Sequence, residues 1–171
     1  MHPVFRYYLF TLLGCLLFPI ASHSQILCTP NEIRTEIIIN TSAAEAWQLL
    51  TDVDAYALWH PYILQIEGKV ALKEKIKVTT IDADSTTDKF SAFILVFEPN
   101  KQLAWGGSLG FIFSAKHYYI IEPINDNQIL FVQGEYWHGL FGKNYGKKIY
   151  LETYQKFSAM NEKMKSLLEA E

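Results

Sequence analysis

The order of elements constrains this chain most. After an apolar leader, the patterning predicts one strand, two short helices, six further strands with turn residues between them, and one long C-terminal helix. Strands joined by such short turns pair antiparallel, because a parallel pair needs a crossover of about a dozen residues or more. One helix laid across a curved antiparallel sheet cannot cover the whole concave face. The uncovered part is expected to form an apolar pocket.

Residues 1 to 24 read as a secretory signal. Arg6 is the only charged residue before Glu32, Tyr7 to Phe18 is an apolar run, and Pro19 ends it. Ser22-His23-Ser24 places small residues for cleavage before Gln25. The run is short for a membrane span, which needs about 20 apolar residues. The expectation is an exported protein, periplasmic or secreted, cleaved near Ser24, with one domain over residues 25 to 171. An uncleaved membrane anchor is the alternative, and lipidation at Cys15 a weaker one.

Cleavage removes Cys15 and leaves Cys28, so no internal disulfide is possible. No Cys/His cluster has metal spacing, and neither a metal nor a cofactor is expected. The net charge of −3 falls to −4 without Arg6, and no basic patch suits nucleic acid. Aromatic residues make up 15% of the chain, so many must be buried in a domain this small.

Glu32 to Asn40 is the first strand, and Ser42-Ala43-Ala44-Glu45 is a capping box opening a helix with Ala46, Trp47, Leu49 and Leu50. A second helical turn, Asp54 to Trp59, stops before Pro61. Strands are predicted at Ile63 to Val70, Lys73 to Asp82, Asp88 to Glu98, Gln102 to Ser108, Ala115 to Glu122 and Gln128 to His138. Gly106 to Phe111 lacks the context of a phosphate loop and reads as a bend or bulge. Gly139, Gly142 and Gly146 mark a loop before a helix from about Lys147 to Ala170. Its stripe is Tyr150, Tyr154, Phe157, Asn161, Met164 and Leu168.

The pattern resembles the START-like (SRPBCC, helix-grip) superfamily, and within it the polyketide cyclase/dehydrase group. The resemblance covers nearly all of residues 32 to 169. It rests on Ala46-Trp47-Gln48-Leu49-Leu50-Thr51-Asp52, Trp59-His60-Pro61-Tyr62, Leu103-Ala104-Trp105, His117-Tyr118-Tyr119, Phe131 to Gly139, and Phe157-Ser158-Ala159-Met160-Asn161. It implies an α+β helix-grip fold: a seven-stranded antiparallel sheet curved around a long C-terminal helix, with two short helices after strand one and a cavity between sheet and helix. Fold alone does not give function.

Strand parity supplies candidate site residues. If the last hairpin turns at Asp126, His117 faces Glu135, Tyr119 faces Gln133 and Ile121 faces Phe131. Opposed β-carbons are about 4.5 to 5.5 Å apart. A His–Glu pair on the concave face can anchor a polar group, act as acid and base, or satisfy itself. The expected pocket wall is Trp59, Tyr62, Trp105, Tyr119, Trp137, Tyr154 and Phe157. His117, Glu135 and Asn161 supply orienting groups, and His60 stands near the mouth. Glu98, Lys116, Tyr118 and Glu122 fall on outward positions and read as solvated surface.

Three functions fit: an exported binder of a small hydrophobic or aromatic ligand (lipid, isoprenoid or polyketide-like); a cyclase or dehydrase using Glu135 with His117; or an interaction module whose aromatics fill the cavity. Arg34 is the only arginine outside the leader, which gives little support to an arginine-assisted enol mechanism. Membrane contact is expected only through an uncleaved leader, or weakly through Lys143, Lys147 and Lys148.

Overall fold

The computed structural model describes residues 27–29, 31–82 and 84–170. The expected leader, its cleavage point near Ser24 and Cys15 lie outside the described residues, as do the side chains of Cys28, Lys143, Lys147 and Lys148. In chain order the elements are β1 (Leu27–Thr29), β2 (Glu32–Ile39), α1 (Ala43–Thr51), a 3-10 turn (Val53–Ala55), α2 (Tyr56–Trp59), β3 (Ile63–Glu67), β4 (Lys75–Ile81), β5 (Thr87–Glu98), β6 (Gln102–Ser108), β7 (Ser114–Asn125), β8 (Gln128–His138) and α3 (Gly142–Leu168). β2 to β8 are the seven expected strands. They form one antiparallel sheet in the order β2-β8-β7-β6-β5-β4-β3, and the three-residue β1 extends its β2 edge. The fold is the α+β helix-grip.

Local chemistry sets the boundaries. Ser42 Oγ accepts the Glu45 N–H at 3.3 Å, and the Glu45 carboxylate accepts the Ser42 N–H at 3.0 Å, so the capping box opens α1. Asn125 pairs with Gln128, leaving Asp126 and Asn127 as the hairpin turn, and Asn125 Oδ1 accepts the Asn127 N–H at 3.0 Å. A register shift falls between Pro123 and Asn125, where proline lacks the ladder donor.

α3 lies on the concave face over β2 and β8 and touches α1. It buries Phe157, Met160 and Met164 against Ile33, Ile37 and Ile39 of β2, Phe131 of β8 and Leu50 of α1, within one core cluster. Lys156 Nζ lies 2.5 Å from Asp82 at the end of β4, and Lys165 Nζ donates to the Ile38 carbonyl at 2.6 Å. These contacts hold the helix to both sides of the sheet.

Two expectations need correction. α3 begins at Gly142, not Lys147, so Gly142 and Gly146 are helical and only Gly139, with φ of 93°, keeps a loop conformation. Glycine is a poor helix former, which hid the first turn. Here close packing explains Gly142, because a β-carbon there would lie 3.0 Å from the Trp137 carbonyl carbon. Tyr118, in turn, is not solvated. On the convex face it packs with Ala104 and Val132 and is 3% exposed. Its ring stacks on Tyr136 at 5.4 Å, and its hydroxyl donates to Glu32 at 2.6 Å. Glu98 and Glu122 are exposed as expected, and Lys116 is half-buried.

Candidate functional site

The β7–β8 register pairs His117 with Glu135, Tyr119 with Gln133 and Ile121 with Phe131. The next ladder pairs Trp105 with His117 and Leu103 with Tyr119. Side chains two apart share a face. The concave face therefore carries Leu103 and Trp105 from β6, His117, Tyr119 and Ile121 from β7, and Phe131, Gln133, Glu135 and Trp137 from β8.

Rings line this face in mutual contact. Trp105 stacks on His117 at 5.4 Å and meets Tyr119 edge-on at 5.3 Å. Phe157 of α3 meets His117 edge-on at 4.9 Å and lies parallel to Tyr62 at 6.5 Å. The loop after α2 adds His60, which stacks on Tyr56 at 4.8 Å and meets Tyr62 edge-on at 4.6 Å. Trp59 tilts against His60 at 5.2 Å. A continuous aromatic wall thus runs from Trp59 to Trp105, with Phe157 as its bridge to the helix.

A polar thread crosses that wall. Trp137 Nε1 donates to Glu135 Oε1 at 3.0 Å. Glu135 Oε2 lies 3.6 Å from His117 Nδ1. His117 Nε2 lies 3.3 Å from the amide nitrogen of Gln133, which also donates to the Tyr62 hydroxyl at 2.8 Å. With the amide in this orientation its nitrogen donates, so His117 Nε2 accepts and the ring proton falls on Nδ1 towards Glu135. Gln133 Oε1 is buried without a hydrogen-bond partner among the described residues. If the amide turned over, Oε1 would accept from Tyr62 and from a protonated His117. The thread thus has a hydrogen-bonded form for either charge state of the histidine.

Burial sets the electrostatics around it. The Tyr62 and Tyr119 hydroxyls are held well above the ordinary tyrosine range by loss of water. His60 is pushed down to about 3, first by burial and then by the nearby His117. Its Nδ1 accepts the Ile63 N–H at 3.0 Å, so its neutral form is the one the fold uses.

The expected residues divide. Trp59, His60, Tyr62, Trp105, His117, Tyr119, Glu135, Trp137 and Phe157 come together. Tyr154 does not: it is half-buried outside the core cluster, and Thr153 takes the buried position one turn before Phe157. Asn161 is buried but bonded to the sheet, with Nδ2 3.0 Å from Thr35 Oγ1, which reaches the Gln133 carbonyl at 3.3 Å. Two members carry no sequence expectation as site residues. Gln133 is the centre of the thread, and its signal was an amide amid apolar alternation. Tyr56 donates to the Leu50 carbonyl at 2.6 Å, and no sequence signal singled it out. An open cleft between the 3-10 turn and β3–β4, lined by Val53, Asp54, Ala57, Leu64, Gln65, Ile66 and Thr79, contains none of the expected residues. The aromatic wall, which gathers most of them, is therefore the better candidate site. No three His, Cys, Asp or Glu side chains group as metal ligands among the described residues.

Comparison with known proteins bears on this geometry. Residues 30–164 match the family model described as polyketide cyclase / dehydrase and lipid transport. No curated protein matches the chain in sequence. Among solved structures, the di-domain ARO/CYC BexL from the BE-7585A biosynthetic pathway is similar, with a TM-score of 0.64 and 12% identity over 81% of this chain and 48% of BexL. The chain thus spans about half the length of that protein. A Rhodobacter sphaeroides protein superposes with a TM-score of 0.67 at 9% identity, over 85% of this chain and 97% of its own. A conserved protein of unknown function from Enterococcus faecalis gives 0.61 at 17% identity, over 86% and 77%. At these identities the likeness concerns the fold.

Proposed function

Because the chain belongs to the polyketide cyclase / dehydrase and lipid transport family, whose fold binds hydrophobic ligands, we propose that it is an exported carrier or sensor of a small hydrophobic or aromatic-ring ligand. One observation carries this reading: a hydrogen-bonding thread from Trp137 to Tyr62 embedded in an aromatic wall. A mostly apolar lining with a few orienting polar groups is the ordinary chemistry of such sites. Phe157 touches both His117 and Tyr62, so the ligand enters by displacing that ring, and its polar end replaces contacts of Gln133 and His117. Native mass spectrometry with organic extraction tests the reading, on protein expressed with its own leader and purified gently. A stoichiometric apolar small molecule is expected. A ligand-free mass, together with no uptake of ring-bearing hydrophobic probes, would overturn it. N-terminal sequencing of the exported protein tests cleavage near Ser24, and an intact leader would overturn that part.

The facing of His117 and Glu135 favours a second reading, in which the pair moves a proton during cyclisation or dehydration of a keto-bearing ligand. A pH–rate profile on diketone substrates tests it, and no turnover with any of them leaves the binder reading.

A further inference from the structure

Two connections meet at one end of the sheet. β6 ends at Ser108 and β7 begins at Ser114, while β8 ends at His138 and α3 begins at Gly142. The Leu140 N–H donates to the Phe111 carbonyl and the Phe141 N–H to the Ile112 carbonyl, each at 3.2 Å. The Leu109 N–H donates to the Phe113 carbonyl at 2.7 Å, closing the first loop on itself. The loops therefore form one hydrogen-bonded tip.

That tip presents Leu109, Phe111, Ile112, Leu140 and Phe141 to solvent, with Phe111 83% exposed and Leu109 and Leu140 each 70%. Single exposed apolar residues are ordinary, but a contiguous group marks an interaction surface. The surrounding sequence is sorted by charge. Residues 106 to 121 hold Lys116 and no acid, and residues 136 to 151 hold Lys143, Lys147 and Lys148 and no acid, in a chain of net charge −3. The positive end of the α3 dipole lies here as well. Of the acids in neighbouring elements, Asp82 and Glu152 are tied to Lys156, while Asp84 and Asp88, in and beside the adjacent β4–β5 turn, are exposed.

We propose that this tip docks on an anionic lipid surface. Its leucines and phenylalanines enter the boundary between headgroups and acyl chains, and the lysines of the two stretches supply the attraction. A second copy is a poorer occupant, because a symmetric tip-to-tip contact would bring two lysine-rich ends together. Trp137, one residue before the end of β8, links the tip to the polar thread, so docking would bring the sheet–helix interior to the bilayer. The proposal stands whether or not the site holds a ligand.

Vesicle flotation of the full chain tests it, with vesicles of phosphatidylcholine alone and of phosphatidylcholine mixed with phosphatidylglycerol. The leader is common to every sample, so the reading is the difference between variants. Phe111→Ser with Phe141→Ser should lower partition onto the mixed vesicles by about tenfold or more. Leu72→Ser, an exposed leucine in the β3–β4 turn at the opposite end of the sheet, should leave it unchanged. Raised salt should weaken wild-type binding. Leu109→Ser with Leu140→Ser reads the same surface if the first pair perturbs folding. Equal partition of wild type and both tip variants would overturn the proposal. So would a wild-type dimer that the tip variants convert to monomer without any change on vesicles.

Discussion

His117 Nδ1 stands 3.6 Å from Glu135 Oε2, directly across the β7–β8 ladder. The other nitrogen of the ring faces Gln133, and its faces meet Trp105 and Phe157. Glu135 is therefore the only carboxylate among the described contacts of the thread. Glu135→Gln removes its charge and keeps an oxygen to accept from Trp137 Nε1. The expected result is a melting temperature within a few degrees of wild type and an affinity for the co-purifying ligand weakened by about tenfold, as for loss of one charge-assisted contact. Calorimetric titration of both proteins checks it, and equal affinity would remove Glu135 from the anchor role.

His60 gives a pH dependence whose sign is fixed by burial. Its folded pKa lies at about 3, below the ordinary 6.5, so the folded state disfavours the proton that the unfolded chain accepts. Its contribution is intact above pH 6.5 and is lost as pH falls towards 3. Between about pH 6.5 and about pH 5, before most carboxylates titrate, the loss should be on the order of 1 to 2 kcal/mol. His60→Asn keeps an acceptor for the Ile63 N–H and cannot take up that proton. Urea titrations across this window should show a flatter slope for the variant; parallel slopes would mean that His60 is protonated in the fold.

The sequence revealed those relationships that depend on period and turn chemistry. Strand parity and the Asp126 turn set the register that pairs His117 with Glu135, and the Ser42–Glu45 box set the start of α1. What stayed hidden depends on how elements rotate and approach in three dimensions. The α3 stripe was read through Tyr154, but the buried line runs through Thr153, Phe157, Met160 and Met164, and a helix face can turn by one residue without changing its period. Gln133 was placed on the concave face, yet nothing in its neighbours showed that one amide would serve both Tyr62 and His117. Tyr118 sits on a formally outward position, and only the missing side chain at Gly134, its ladder partner, creates the groove that buries it.

That groove makes a prediction on the convex face. A β-carbon at Gly134 would lie 2.2 Å from the Tyr118 hydroxyl oxygen and 2.7 Å from the Ile33 carbonyl oxygen. The tyrosine ring can swing away, but the backbone oxygen belongs to the β2–β8 ladder. Gly134→Ala should therefore cost about 2 kcal/mol or more. In a Tyr118→Ala background the added cost should shrink without vanishing. Denaturant unfolding of the four proteins checks this, and full additivity would mean that ring and glycine do not share the space.

Asn161 separates a structural role from a binding one. Its Nδ2 donates to Thr35 Oγ1, and the Thr35 hydroxyl donates to the Gln133 carbonyl, so helix, edge strand and polar thread are joined by two buried hydrogen bonds. Thr35 is fully buried and Asn161 nearly so, which leaves no water to replace a lost partner. Thr35→Val keeps the shape, removes both bonds and strands the Asn161 amide, at an expected cost of about 2 kcal/mol. Asn161→Leu in the Thr35→Val background removes the stranded amide and should recover part of that loss, because replacing both polar partners by apolar groups restores a satisfied interior. Thermal unfolding measures the recovery. If the double variant is as stable as the hydrogen-bonded pair yet no longer carries the co-purifying molecule, Asn161 acts on the ligand. If both stability and binding recover together, the pair serves only to join α3 to the sheet.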